Sequence, residues 1–73
     1  MVTKSSVLKK KFGERVRQER TKQRISQEEL GFRTGLDRTY ISGIERGVRN
    51  PSLENIGRIS KALKTSLPHL FSF

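Results

Sequence analysis

Apolar residues recur at helical intervals along most of the chain. Leu8, Phe12 and Val16 follow one another every four residues, which predicts an amphipathic first helix that ends near Gln23. Residues 1–7 carry no such pattern, and we predict that they form a flexible basic tail. The folded part of the chain is therefore expected to begin at about residue 8.

A second helix is indicated by signals at both of its ends. Ser26 and Glu29 have the spacing of a capping box, in which each side chain bonds to the backbone N–H of the other residue. A helix should therefore begin at Gln27. Gly35 is suited to the left-handed conformation that commonly follows a helix, so this helix is predicted to end near Thr34.

The third helix follows after a very short connection. Asp37 is a preferred capping residue and Gly47 suits the other end, so we predict a helix from Arg38 to about Arg46. Only residues 35–37 separate it from the second helix. A connection this short forces a sharp turn between two short helices, which is the geometry of a helix-turn-helix.

Two more helices complete the predicted fold. Ser52 should cap the fourth, and a short fifth should follow Ser66, with Pro68 tolerated in its first turn. The predicted fold class is therefore all-α, a compact five-helix bundle in which residues 8–73 form a single domain. The predicted core consists of Phe12, Val16, Ile25, Leu30, Leu36, Ile41, Ile44, Leu53, Ile56, Ile59 and Leu63.

The charge balance is the first indication of function. Sixteen Lys and Arg against seven Asp and Glu give a formal net charge of +9. This excess indicates a polyanionic partner, with nucleic acid first and an anionic membrane surface second. The chain has no cysteine, which excludes disulfides and thiolate metal sites and is consistent with a reducing cytoplasm. No apolar stretch approaches the roughly 18 residues of a membrane-spanning helix.

The middle of the chain carries a recognisable motif. The run S-Q-E-E-L-x-x-x-T-G-L-D-R-T-Y-I-S-x-I-E-R-G-x-x-N-P-S-L resembles the helix-turn-helix of lambdoid phage repressors and their bacterial relatives, the Cro/repressor type with a lambda-repressor-like DNA-binding domain. Within it, L-D-R-T-Y-I-S-G-I-E-R-G-x-R-N is similar to the controller proteins of restriction–modification systems. That resemblance implies a short, all-helical homodimer that regulates transcription from palindromic operators upstream of its own gene and the endonuclease gene.

The resemblance places the sequence-reading residues at the start of the third helix. In this geometry the amino-terminal part of that helix enters the major groove. Arg38 can bond guanine O6 and N7 together, and Thr39 can offer a hydroxyl to a base edge or a methyl group to thymine. Ser42 lies one turn further on. We predict that these three residues contact bases.

A second group of residues is predicted to contact the DNA backbone or the minor groove. Arg49 could enter a narrow minor groove, and Tyr40 could instead be a half-buried aromatic residue. Arg33 and the lysines at 9, 10 and 11 are interpreted as solvated charges. The predicted backbone and minor-groove set is Gln27, Tyr40, Gly43, Arg46, Arg49 and Asn50.

Two further predictions concern structure. In relatives, an Arg late in the first helix pairs with a Glu late in the third, so the resemblance implies an ion pair between Arg20 and Glu45. The C-terminal segment carries too many apolar residues for the exposed tail of a monomer. The predicted dimer interface consists of Leu67, Leu70, Phe71 and Phe73.

The expected partners are double-stranded operator DNA, a second copy of the chain and RNA polymerase, with no membrane, small-molecule ligand, cofactor or metal. His69 has no ligand-like neighbours in sequence, and no set of nucleophile, base and acid indicates an enzyme. The alternatives are a stand-alone phage or plasmid repressor and the antitoxin of a toxin–antitoxin pair. A cationic membrane-active peptide is disfavoured by the regular helix caps and internal glycines. The expected location is the bacterial cytoplasm, on the nucleoid.

Overall fold

The computed structural model describes residues 4–73, with side chains from residue 5 onward. Five helices follow one another: α1 Lys4–Lys22, α2 Gln27–Thr34, α3 Arg38–Glu45, α4 Leu53–Leu63 and α5 Leu67–Leu70. Within residues 4–73 there is no strand, which confirms the all-α fold class and the five-helix architecture. None of these helices is long and apolar enough to cross a membrane.

Four helices begin at side-chain caps, as the sequence predicts. Ser26 Oγ accepts a hydrogen bond of 2.9 Å from Glu29 N, and Asp37 Oδ1 accepts one of 2.7 Å from Thr39 N. Each satisfies a backbone N–H that lacks a partner within its helix. The capping box at α2 is only half formed, because the Glu29 carboxylate accepts from Arg33 Nε at 2.9 Å. Equivalent caps of α4 and α5 are supplied by Ser52 and Ser66.

Helix α1 begins at Lys4, several residues before the predicted start near Leu8. The predicted tail therefore differs from the structure over residues 4–7, and residues 1–3 lie outside the described part. Leu8 itself is half exposed, so it belongs to no core face. The first turns of α1 extend past the core, and Lys and Ser there are acceptable helix formers that need no apolar neighbours.

The core lies where α1, α2, α3, α4 and α5 meet. Most of the predicted core is buried there, and Leu36 and Ile56 are partly buried at its edge. The prediction that Leu53 belongs to the core is wrong, because its side chain is 80% exposed in the first turn of α4. The buried apolar set is Phe12, Val16, Ile25, Leu30, Ile41, Ile44, Ile59, Leu63 and Leu70.

The C-terminal segment is fastened to α1 by polar contacts that the sequence analysis missed. The guanidinium of Arg15 donates to the carbonyl oxygens of His69 and Ser72, at 2.6 and 2.7 Å. His69 Nε2 lies 2.5 Å from an oxygen of buried Glu19. Phe71 stacks on Phe12 with ring centroids 4.9 Å apart. Together these contacts hold α5 and the residues after it against the first helix.

Candidate nucleic-acid interface

An ion pair fixes the helix-turn-helix to α1. Arg20 Nε donates to Glu45 Oε2 at 2.6 Å, and a second guanidinium nitrogen donates to Glu45 Oε1 at 2.9 Å. A third bond runs from Arg20 to the Ile25 carbonyl oxygen at 2.8 Å. The two charged side chains are only 11% and 3% exposed. The predicted pair is therefore present in a planar, two-bond arrangement, and the third bond fixes the chain just before α2.

The hydrogen bonds of this pair shift the titration of Arg20. The bond to Glu45 raises the pKa of Arg20, partial burial opposes the rise, and the charge of Glu45 adds to it. Arg20 therefore keeps its charge at every accessible pH, and the ion pair is not broken by deprotonation of Arg20.

Gln27 belongs to this cluster rather than to free solvent. Its side-chain amide donates to Glu45 Oε1 at 3.1 Å, and the residue is half buried at the start of α2. The predicted use of this side chain to hold phosphate therefore competes with a bond inside the protein. The open cleft beside it is lined by Arg20, Ser26, Gln27, Glu28 and Arg38, so the amino ends of α2 and α3 face the same surface.

The exposed face of α3, with the residue that follows it, carries four of the nine predicted DNA-contacting residues. Arg38 and Thr39 are exposed in its first turn, Ser42 is half exposed, and Arg46 is exposed directly after its last residue. Thr39, Ser42 and Arg46 are spaced by three and four residues, which aligns them along one side of the helix. The opposite side buries Ile41 and Ile44.

The prediction that Gly43 contacts the DNA backbone needs a correction. It is buried, and the space where its side chain would stand is filled by Arg49, whose Cγ lies 2.4 Å from an ideal Cβ position. The Gly43 carbonyl oxygen also accepts from Val48 N and Arg49 N, at 3.0 and 3.2 Å. Because the loop after α3 packs onto Gly43, the space beside its backbone is occupied by the Arg49 side chain. Arg49 and Asn50 are exposed on that loop.

Tyr40 is half buried, as the alternative interpretation has it, and its predicted contact with the DNA backbone stays a prediction. Its ring is half buried against the core, and its hydroxyl accepts a hydrogen bond of 3.2 Å from the side-chain amide of Asn55. The hydroxyl hydrogen is not used in that bond, so Tyr40 retains one donor.

Comparison with known proteins agrees with this geometry. The helix-turn-helix family model matches residues 16–70. The control protein C.BamHI of Bacillus amyloliquefaciens is 56% identical over 63 residues, which are 85% of this chain and 78% of that protein. The chain belongs to the helix-turn-helix family, in its group of restriction–modification control proteins.

Solved structures of this group have the same fold. The controller protein C.AhdI from Aeromonas hydrophila superimposes with a TM-score of 0.84 at 49% identity, covering 86% of this chain and 96% of that one. The controller protein C.Esp1396I, crystallised as a tetramer with its natural 35 base-pair operator, superimposes with a TM-score of 0.81 at 37% identity. That match covers 89% of this chain and 86% of the C.Esp1396I chain.

The predicted dimer interface of this control protein needs one correction. Leu70 is 0% exposed within a single chain, so it belongs to the core and cannot present its side chain to a partner. Leu67, Phe71 and Phe73 are exposed, and the rings of Phe71 and Phe73 lie 6.2 Å apart. An apolar surface therefore remains at the C-terminal end of the fold, although it is smaller than predicted.

Sequence reasoning missed the residues of this control protein that orient the apolar surface. Arg15 and Glu19 are one turn apart on α1 and both bind the C-terminal segment, Arg15 through the His69 carbonyl oxygen and Glu19 through the His69 ring. Their four-residue spacing suggests only a local ion pair within α1. No sequence signal pairs a residue with a partner 50 or more positions away.

Proposed function

We propose that this protein is a sequence-specific, DNA-binding transcription regulator, the controller of a restriction–modification system, and that it acts as a homodimer on a palindromic operator. One observation carries the proposal. A single exposed face of α3 presents Arg38, Thr39 and Ser42, on a chain with a net charge of +9 and beside the amino end of α2.

The proposed mechanism begins with α3 in the major groove. The guanidinium of Arg38 has the donor geometry to bond guanine O6 and N7 together, and Thr39 and Ser42 supply hydroxyl groups to neighbouring base edges. Sequence is read in this way because each base pair presents a distinct pattern of donors and acceptors in that groove. The protein therefore works by binding, and no catalytic step is part of the proposal.

Contacts outside the groove position the helix. The free backbone N–H groups at the amino end of α2 favour a phosphate, since that end of a helix carries partial positive charge. Arg46, Arg49 and Asn50 are exposed at and after the end of α3, where they can bind phosphates or a narrow minor groove. These contacts fix register and add affinity without selecting a base.

A two-fold dimer completes the proposed complex. The exposed side chains of Leu67, Phe71 and Phe73 form an apolar surface suited to a second copy of the chain. Two recognition helices related by two-fold symmetry read half-sites about 34–36 Å apart. The site of action is the cytoplasm, on the nucleoid, where a regulator bound beside a promoter also encounters RNA polymerase.

Selection of bound duplexes from a random DNA pool tests this function. We expect a palindromic consensus with half-sites one helical turn apart, located upstream of the chain's own gene and of an endonuclease gene. A palindrome upstream of its own gene alone would favour a stand-alone repressor. Recovery of no preferred sequence would overturn the proposal. Sedimentation of the free protein at micromolar concentration should show a dimer, and replacing Phe71 and Phe73 with Ser should shift it to monomer.

A further inference from the structure

The amino-terminal half of α1 packs closely against the end of α3. Gly47 has a φ of +77°, and a Cβ there would stand 2.8 Å from Lys10 Cα and 3.1 Å from Lys10 N. A side chain at position 47 would therefore separate the two elements. Glycine allows the backbone after α3 to touch α1 at Lys10, two turns after the helix begins.

A shallow groove runs along this contact. Its walls bring Lys10 of α1 beside Arg46, which follows α3. Arg46 lies on the same side of α3 as Thr39 and Ser42, so the groove continues the proposed DNA-contacting face past the end of the recognition helix. The lining residues are Ser6, Val7, Lys10, Lys11, Glu14, Arg46 and Gly47.

The charge of the groove is positive, because its cationic side chains outnumber its single anionic one. Three of its side chains are cationic and one, Glu14, is anionic. Among residues 5–73, the ion pairs are Arg20–Glu45, Arg33–Glu29, Arg58–Glu54 and His69–Glu19, so Lys10 and Arg46 are not held in one. Two unpaired cations at neighbouring positions attract an extended polyanion.

We propose that Lys10 binds the phosphate backbone of double-stranded DNA next to the phosphate held by Arg46, which makes the first turns of α1 part of the DNA-binding surface. This revises the interpretation of Lys10 as a solvated charge and rests on the proposed function. The occupant is a duplex because the groove is continuous with the recognition face. A lysine is suited to this contact, since a mobile ammonium group binds phosphate without reading a base.

The test is the salt dependence of binding by Lys10→Ala, measured with the selected operator and with an unrelated duplex. Each lost phosphate contact should reduce the slope of log K against log salt by about 0.9, so a dimer should lose about 1.8. The fold loss in affinity should be the same for both duplexes. Lys10→Arg should retain the slope, and Lys10→Glu should lose more affinity than Lys10→Ala.

Lys61→Ala is the matched control, because it removes one exposed charge from α4, outside the groove. If Lys10→Ala and Lys61→Ala give the same slope, or if the loss is confined to the operator, the proposal is wrong. The proposal would also be overturned, in favour of a lipid surface, by a different result. In that result, Lys10→Ala loses binding to anionic phosphatidylserine vesicles but keeps the salt dependence of DNA binding. Binding to the unrelated duplex can be measured even if the protein selects no operator. A protein without sequence preference would therefore refute the proposed function, while the salt dependence of Lys10→Ala would still test the proposal for Lys10.

Discussion

The aliphatic part of Arg49 packs directly on Gly43, two residues before the end of α3. An ideal Cβ at position 43 would lie 2.4 Å from Arg49 Cγ and 3.5 Å from Arg49 Cβ. Two hydrogen bonds from the loop to the Gly43 carbonyl oxygen accompany this packing. The missing side chain at position 43 therefore determines where the Arg49 guanidinium is presented, rather than how closely DNA approaches the helix.

Gly43→Ala should consequently weaken DNA binding without unfolding the protein. The new methyl group collides with the root of the Arg49 side chain, which must move, while alanine gains about 1 kcal/mol of helix propensity that offsets the steric cost. Gly57→Ala is the control, since nothing lies within 4 Å of its Cβ position in α4. We expect Gly57→Ala to raise the free energy of unfolding by up to about 1 kcal/mol and to leave DNA affinity unchanged.

Denaturant unfolding and DNA titration of both variants separate the two effects. If Gly43→Ala binds DNA as tightly as the parent protein, the position of Arg49 does not matter for binding. If it binds more weakly, Arg49→Ala should show a similar loss, and the double variant should lose little more than either single one.

Glu45→Ala should destabilise the domain strongly. It leaves the guanidinium of Arg20 buried without its partner and removes the acceptor of the Gln27 amide. Breaking a buried pair in this way costs about 3–5 kcal/mol. Glu54→Ala, which breaks the exposed pair with Arg58, should cost less than about 1 kcal/mol. Equal unfolding midpoints for the two variants would show that the Arg20–Glu45 pair is superficial.

Stability should also depend on the cap of α3 at acid pH. The backbone N–H of Thr39 donates to the Asp37 carboxylate and holds the pKa of Asp37 below its ordinary value. The contribution of the cap is therefore complete above the ordinary carboxyl pKa and is lost as the pH falls through the lowered one. Because a serine cap does not titrate, the excess of the parent Tm over that of Asp37→Ser should shrink on acidification. A difference that stays constant with pH would contradict this account.

Ile44 and Leu53 provide a direct comparison between a buried and an exposed predicted core residue. Ile44→Ala should cost about 2–5 kcal/mol, because it empties a buried aliphatic site. Leu53→Ala should change stability by no more than about 0.5 kcal/mol, as expected for a surface position. Both values follow from denaturant midpoints. A loss below about 0.5 kcal/mol for Ile44→Ala would mean that the buried face of α3 is assigned wrongly.

Leu53 also shows what sequence periodicity can and cannot predict. The helical period correctly gives the direction in which a residue points, and local caps at Ser26 and Asp37 fix where α2 and α3 begin. The period does not give the depth to which a side chain is buried. Leu53, in the first turn of α4, is 80% exposed, whereas Leu70, from a four-residue helix, is fully buried. Depth depends on tertiary packing, which a local pattern does not contain.

The candidate site was predictable to a similar extent. Its members on the exposed side of α3 follow from the motif and from helical spacing. The roles of Gln27 and Gly43 do not, because each depends on a residue from another element, Glu45 for the amide and Arg49 for the glycine. Contacts between elements bury Gly43 and half bury Gln27, and only the folded arrangement reveals them.

Arg38 should contribute to specificity and Arg46 to affinity alone. A recognition helix with Gly43 buried under Arg49 has few base readers, namely Arg38, Thr39 and half-exposed Ser42. Each good two-bond contact discriminates by about 1–3 kcal/mol. Only Arg38 can make such a contact, so the two subunits together gain about 2–6 kcal/mol of the roughly 4–10 kcal/mol that separates specific from non-specific binding. Single hydrogen bonds from Thr39 and Ser42 and the deformability of the central spacer should supply the rest.

Two substitutions distinguish these contributions on a panel of single-base operator variants at fixed salt. Arg38→Ala should remove the preference at one base position in each half-site, because the guanidinium that bonds guanine is lost. Arg46→Ala should weaken binding to every sequence and flatten the salt dependence by about 0.9 per lost phosphate contact. The two exposed arginines carry the same charge, so a difference between their profiles reflects position and not electrostatics alone. If Arg38→Ala lowers the affinity for all sequences equally and leaves the preference profile intact, Arg38 holds phosphate and base reading belongs to Thr39 and Ser42.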